Sequence, residues 1–400
     1  MRAKVRHAQY LLALVVVFAA PAMAQWTNGQ DATYVLGQAD FTSKISTTSQ
    51  DGMNRPYSVA VDLVNGKLYV SELNNNRVLR FAYPITGNQP NAEAVLGQAD
   101  FVSGDANRGG MVAANTLYAP CGLAVDSSGR LWVADSINNR ILRFDSAHTK
   151  ANGADADGVL GQANFTSWLS STTQNGMKYG YQLALTSGGT LFVADGPNNR
   201  VLRFDDAASK ANGANADGVL GQADYTSSGS ATTQAGMSWP QGVCVDGTTL
   251  YVADTDNYRV LRFDNAAGKA NGANADGVLG QPDYTSGGWA TTQAGLGGPT
   301  GLAIDTAGRL YVADSGNTRV MIFNSAAGKA NGANADNVLG QENFTSSAAA
   351  TAQNRMDNAR GVCTDSTNNR LFVADFQNHR VLQFNASGAL PVEMSAFGVE

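Results

Sequence analysis

The chain has 400 residues, with 27 Lys and Arg against 33 Asp and Glu for a net charge of −6. An acidic balance of this kind repels phosphate backbones and argues against nucleic acid as a partner. Only 15% of the residues are charged, below the roughly 25% of average domains, while 44 glycines and many Asn, Ser and Thr suit short strands joined by tight turns.

Residues 1–24 read as a secretory signal peptide: Arg2, Lys4 and Arg6 form a basic start, 11–20 an apolar run, and Ala22-Met23-Ala24 a small-residue cleavage site before Gln25. The segment is too short for a membrane span, and no later stretch approaches the roughly 20 apolar residues that a helical span needs. The expectation is a secreted or cell-surface monomer without a transmembrane segment. Cleavage would remove three cations and no acids, leaving 24 Lys and Arg against 33 acids, or −9.

Val35, Val95, Val159, Val219, Val278 and Val338 each open a V-L-G-Q tetrapeptide, at steps of 60, 64, 60, 59 and 60 residues. Such a period means one supersecondary unit copied. In the second copy, β-rich runs at 122–126, 131–134, 140–144 and 158–162 are separated by Ser-Ser-Gly, Asn-rich and looser turns, the pattern of an antiparallel meander. Helical character is confined to single turns near 205–210 and 264–269. One such sheet cannot bury both faces alone, so the copies must pack side by side, and four-stranded sheets set radially make a β-propeller. The first V-L-G-Q precedes the first strand triplet, and the last triplet, ending at Phe384, has none after it. Residues 35–40 are therefore expected to supply the outer strand of the last blade. The expected fold is all-β, a six-bladed propeller of four-stranded antiparallel blades over residues 25–386, its ring closed by an N-terminal strand. Residues 387–400 read as a linker or the start of a truncated second domain.

Segments 120–144, 240–263 and 299–323 resemble NHL repeats, with their P-x-G-hydrophobic-A-V-D, V-A-D and N-x-R elements. The resemblance covers about residues 30–385 and implies a six-bladed propeller. It leaves function open, because such propellers include enzymes, sensors, RNA binders and adaptors. Residues 390–397, L-P-V-E-M-S-A-F, resemble a segment of exported bacterial proteins that bear C-terminal sorting modules.

Features shared by all copies read as architecture. The acid–arginine pairs, from Glu72 and Arg77 through Asp135 and Arg140 to Asp375 and Arg380, read as turn-fixing ion pairs. Met53, Leu117, Met177, Met237, Leu296 and Met356 recur three residues before the Pro position and read as packing. The N-G-A-[ND]-A-D runs beginning at Asn152, Asn212, Asn271 and Asn331 faintly suggest Ca²⁺, but lack the alternating ligands and distal Glu of an EF-hand loop. Cys244 and Cys363 align with Ala in other copies and, with Cys121, read as free structural thiols. Past the signal peptide only His148 and His379 remain, too few for the three-histidine zinc site that resemblance to amidating lyases would imply.

No metal, cofactor or catalytic constellation is expected. The candidate ligand site lies where the repeats depart from one another, in the long loops entering each blade. Loop two carries four extra residues with Asp105, Asn107 and Arg108, loop three carries Trp168, Tyr179 and Tyr181, and Trp239 and Trp289 decorate loops four and five. The expected function is a non-catalytic binding or scaffold module for a protein or glycan ligand. The alternative is an extracellular propeller-type hydrolase or lyase, metal-assisted at the central channel.

Overall fold

A computed structural model describes residues 25–387. Residues 1–24, read above as a signal peptide, and the 390–397 segment lie outside the described residues. Six four-stranded antiparallel sheets follow one another along the chain and are numbered here as blades 1 to 6. In blade 2, Pro120–Val125 forms the inner strand, followed outward by Leu131–Asp135, Arg140–Phe144 and Gly158–Leu160. Period-2 alternation makes each blade apolar on both faces. Leu131, Val133, Leu142 and Phe144 pack against blade 1, while Trp132, Ala134 and Ile141 pack against blade 3. The same arrangement recurs between every neighbouring pair, so the core is six layers between blades rather than one centre.

The sixth blade is completed by the N-terminal segment as the repeat count predicts. The strand, however, is Tyr34–Leu36 and ends before the V-L-G-Q glycine rather than running over 35–40. Tyr34–Leu36 pairs antiparallel with Arg380–Asn385, placing Val35 opposite Leu382 and Leu36 opposite Val381. Upstream of this strand, Trp26 is buried against blade 5, where its Nε1 donates to the Tyr311 hydroxyl at 2.8 Å. The predicted single turns are 3-10 helices at Ala207–Ser209 and Ala266–Gly268.

The V-L-G-Q motif has a mechanical role in every blade. Its glycine sits at φ between 82 and 88°. A Cβ there would come within 2.5 to 3.1 Å of the recurrent Met or Leu, all six of which are fully buried. The following Gln then donates to two carbonyls, as Gln162 does to Asn139 at 3.0 Å and Leu169 at 2.9 Å, tying the blade turn to the entering loop.

The acid–arginine pairs fasten the same loops. In blade 4, Asp254 Oδ2 accepts from Arg259 Nε at 2.6 Å and Asn257 Nδ2 at 2.8 Å, and Oδ1 accepts from the Ser238 N–H at 2.6 Å. The guanidinium also donates to the carbonyls of Thr233, Gly236 and Tyr284, so it grips the loop before its blade and the loop after it. Both side chains are wholly buried in all six blades. Burial pushes the Asp254 carboxyl up to about 6, against the pull of Arg259 and the neutral donors. In blade 6, Arg380 reaches the carbonyl of Phe41 and so clamps the N-terminal segment as well.

The N-G-A-[ND]-A-D runs cover the outer strand of the preceding blade. Asn152 Oδ1 accepts from the Val95 N–H at 3.1 Å, and the Gly153 N–H donates to the Val95 carbonyl at 2.9 Å. Asn28 does this for Val338 and Asn88 for Val35, so every outer edge is capped against further pairing. The terminal Asp of the run, Asp157, accepts from the Asp145 N–H and pairs with Lys150. The side-chain oxygens of Asn152 and Asp157 are thus engaged by the fold.

Candidate binding face and channel mouth

All the entering loops lie on one face, where the inner strands begin. Two backbone devices aim side chains at the mouth of the central channel. First, each inner strand has a register shift just after its first residue, for example between Gly180 and Leu183, and such a bulge re-aims the residue it contains. The residues so presented are Tyr57, Cys121, Tyr181, Gln241, Thr300 and Arg360. Second, the residue before each inner strand is left-handed: Arg55, Ala119, Tyr179, Trp239 and Asn358 at φ 50 to 60°, and Gly298 at 110°.

The glycine after the bulge lets the strands converge. A Cβ on Gly242 or Gly301 would stand 2.1 or 2.0 Å from the carbonyl oxygen of the next inner strand. Blade 3 has Gln182 here instead, and its side chain becomes the floor of the mouth. Gln182 Oε1 accepts from the Val243 N–H at 3.2 Å and the Leu302 N–H at 3.0 Å, while Nε2 donates to the Leu302 carbonyl at 3.1 Å.

Above this floor a bridge joins opposite blades. The Tyr57 hydroxyl donates to Gln241 Oε1 at 3.0 Å, and Arg360 donates to the same oxygen at 3.3 Å. Burial holds the Tyr57 hydroxyl well above its ordinary pKa, so it stays a proton donor. The guanidinium of Arg360 lies over the rings of Tyr57 and Phe376, 5.9 and 5.3 Å from their centres, and that of Arg55 also lies 5.3 Å from the Phe376 centre. Rings continue around the mouth: Tyr57 stacks on Tyr181 at 6.3 Å, and Tyr181 meets Tyr179 at 5.6 Å and Trp239 at 6.5 Å. Only about 10 Å³ of space remains beneath them.

Below Gln182 the channel widens to a cavity of about 290 Å³. Its lining contains no His, Asp, Glu, Lys or Arg; the polar side chains there are Gln182, Thr364, Cys244 and Cys363. Burial raises the thiols of Cys121 and Cys363 to about 12, which keeps them protonated and unreactive, and raises that of Cys244 as well. Among the described residues no three His, Cys, Asp or Glu side chains are grouped as metal ligands.

The mouth gathers Tyr179, Tyr181 and Trp239 from the loop residues singled out in the sequence. The others lie apart. Asn107 exchanges hydrogen bonds with Asn138 at 2.8 and 3.3 Å, and Arg108 donates to the carbonyls of Gly97 and Gly153. Asp105 is exposed and gives its backbone carbonyl to Gln98. Trp168 is half exposed on its loop crest, and exposed Trp289 donates to Asn317 Oδ1 at 2.9 Å. Sequence reading missed Arg55, Tyr57, Gln241, Arg360 and Phe376. For Tyr57, Gln241 and Arg360 the signal was the variable middle residue of the P-x-G position, which is complete only in blades 2, 4 and 5; Arg55 and Phe376 lie outside it.

His379 proves to be a repeat position. Its Nδ1 accepts from the Arg55 N–H at 3.1 Å, the task that Asn139 and Asn199 Oδ1 perform for Tyr179 and Trp239. Burial, Arg55 and Lys44 all hold its pKa below the ordinary value. The folded state thus favours the neutral ring, so this contribution is complete above the unfolded pKa of about 6.5 and is lost as pH falls toward the lower folded value. His379→Asn is expected to keep the fold and to flatten that loss. Urea midpoints for mutant and parent between about pH 7 and 5 check this, and parallel pH curves would contradict it.

The repeat architecture now has a match. A family model for the NHL repeat fits residues 117–144 and 356–384, the first three strands of blades 2 and 6. The chain carries NHL repeats. A model of the SMP-30/Gluconolactonase/LRE-like region fits residues 207–335, across blades 4 and 5 of this NHL propeller. Teneurin-3 of Danio rerio is 25% identical over 335 residues, covering 73% of this chain and 12% of that protein. Teneurin-3 of Mus musculus is 27% identical over 297 residues, covering 66% of this chain and 10% of that protein. The NHL chain therefore spans about a tenth of the length of these curated relatives. Among solved structures, a gluconolactonase from Xanthomonas campestris superposes with a TM-score of 0.51 at 16% identity, over 88% of this chain and 98% of that one. A Bacteroides thetaiotaomicron protein of unknown function gives 0.52 at 13% identity, over 88% and 74%. At these identities the two structures share the fold.

Proposed function

We propose that this NHL propeller is a secreted, non-catalytic binding module that presents its loop face, centred on the channel mouth, to a protein or glycan ligand. The observation that carries this reading is the conformation of Tyr179 and Trp239. Both are bulky residues at left-handed φ, 57 and 52°, where blade 5 uses Gly298. Left-handed backbone costs a non-glycine residue roughly 1–2 kcal/mol; blade 2 keeps only Ala119 there, whereas blades 3 and 4 keep large rings that meet Tyr181 at the mouth. Trp239 is 36% exposed, so part of its side chain stays open to a ligand.

A second reading, a propeller hydrolase, draws on the SMP-30/Gluconolactonase/LRE-like match over residues 207–335. It needs acids, bases or metal ligands at the channel, and the cavity wall carries no His, Asp, Glu, Lys or Arg, while burial holds its two thiols, Cys244 and Cys363, protonated. Trp239→Gly separates binding from stability. The variant is expected to melt within about 4 °C of the parent and to lose its signals on glycan and peptide arrays. Unchanged array profiles would sink the binding reading.

A further inference from the structure

The mouth places two guanidinium groups against one aromatic ring, that of Phe376. The chain is acidic, and the seven buried arginines among the described residues each face a carboxylate. Among the described residues Arg55 and Arg360 have no carboxylate within ion-pair distance. Both flank the Phe376 ring, and the Nε of Arg360 is buried without a hydrogen-bond partner. A guanidinium fork held by rings, with an unmade bond, is a receptor for a carboxylate.

We propose that the mouth binds a carboxylate-bearing pyranose, a uronic acid residue of a glycan, its carboxylate on Arg360 and Arg55 and its ring laid on Tyr181 and Trp239. This rests on the binding-module reading and names its ligand class. One face of a pyranose is made of C–H groups and lies flat on an aromatic ring, whose apolar body and polar rim suit such an amphipathic partner. The rings of Tyr179, Tyr181 and Trp239, tilted by 41 and 52° at successive contacts, form a curved shelf of that kind. The mouth is shallow as well as aromatic. The space beneath it is small, about 10 Å³, and Gln182 crosses its floor, which suits a flat ligand better than an inserted side chain. Peptide recognition by strand addition needs a free sheet edge, and the outer edges are capped by the Asn-Gly turns. An acidic peptide therefore fits less well than a flat, ring-shaped anion.

Calorimetric titration of the purified protein with trigalacturonate, its methyl ester and a triglutamate peptide tests the assignment. Trigalacturonate is expected to bind saturably, with the methyl ester at least about tenfold weaker, because a charged hydrogen bond is lost. Arg360→Gln and, independently, Arg55→Gln should each weaken the free acid by about tenfold while melting like the parent. The assignment is overturned if trigalacturonate does not bind, if the methyl ester binds as well as the acid, if triglutamate binds more tightly, or if both arginine variants bind like the parent. Should neutral glycans or peptides bind in a Trp239-dependent manner instead, the uronic acid class falls and the binding face stands. Should Trp239→Gly alter no ligand, both fall.

Discussion

A chain lacking residues 25–45 is expected not to fold cooperatively. The deletion removes the outer strand of blade 6, Tyr34–Leu36, and with it Val35 and Leu36, whose burial contributes about 1.5–3 kcal/mol each. It also takes Trp26 from between blades 5 and 6, Asn28 from the edge of Val338, and the Phe41 carbonyl from Arg380. Together these losses rival the 5–15 kcal/mol by which domains are stable. A propeller has an additional vulnerability, since each blade is stabilised only by its neighbours and an open ring exposes an unpaired strand. Far-ultraviolet circular dichroism during a urea titration checks this: loss of the sigmoidal transition is the expected result, and a parent-like transition would mean that the ring does not depend on its latch.

Arg259→Leu is expected to cost about 3–5 kcal/mol, the usual result of stranding one partner of a buried ion pair. The residual Asp254 carboxylate would be left with only the Ser238 N–H and Asn257 as donors, at zero exposure. Replacing both partners often restores stability where a buried pair serves only itself. Here Arg259 also satisfies the carbonyls of Thr233, Gly236 and Tyr284, which leucine cannot do. The double variant Asp254→Leu/Arg259→Leu should therefore remain far below the parent in its urea midpoint. A double variant as stable as the parent would show that the clamp contributes no more than an isolated pair.

The two clamped groups illustrate what was legible beforehand. Asp254 and Arg259 recur at a constant spacing in every copy, so repetition alone marked them as structural, and the hydrogen bonds agree. The same logic read Met237 correctly as packing, since it lies under the V-L-G-Q glycine of its own loop. Repetition was less informative about the N-G-A-[ND]-A-D runs, whose oxygens suggested a weak ion site from spacing. Their partner, the outer strand of the preceding blade, lies 52 to 57 residues away for Asn152, Asn212, Asn271 and Asn331. No local pattern announces a contact at that separation.

The candidate site was half legible for a related reason. Tyr179, Tyr181 and Trp239 stood out because they break the pattern of their loops. Arg360 and Tyr57 also occupy a variable position, yet nothing nearby in the chain suggests that they meet. Tyr57 and Gln241 are 184 residues apart, on opposite blades. Trp168 and Trp289 broke the pattern just as visibly, and their loops carry them out to the crests, away from the mouth.

From the order of residues alone, the number of blades, their strands, the closing N-terminal strand and the structural status of the repeated ion pairs all follow. Each is a consequence of periodicity, and periodicity is a property of the chain as written. Which variable residues share a site is a property of the closed ring. Convergence of six inner strands on one axis, allowed by glycines such as Gly242 and Gly301, brings together side chains that no spacing relates. Only that closure sets Arg55, Tyr57, Tyr181, Trp239 and Arg360 around a single opening, where two guanidinium groups meet aromatic rings rather than carboxylates.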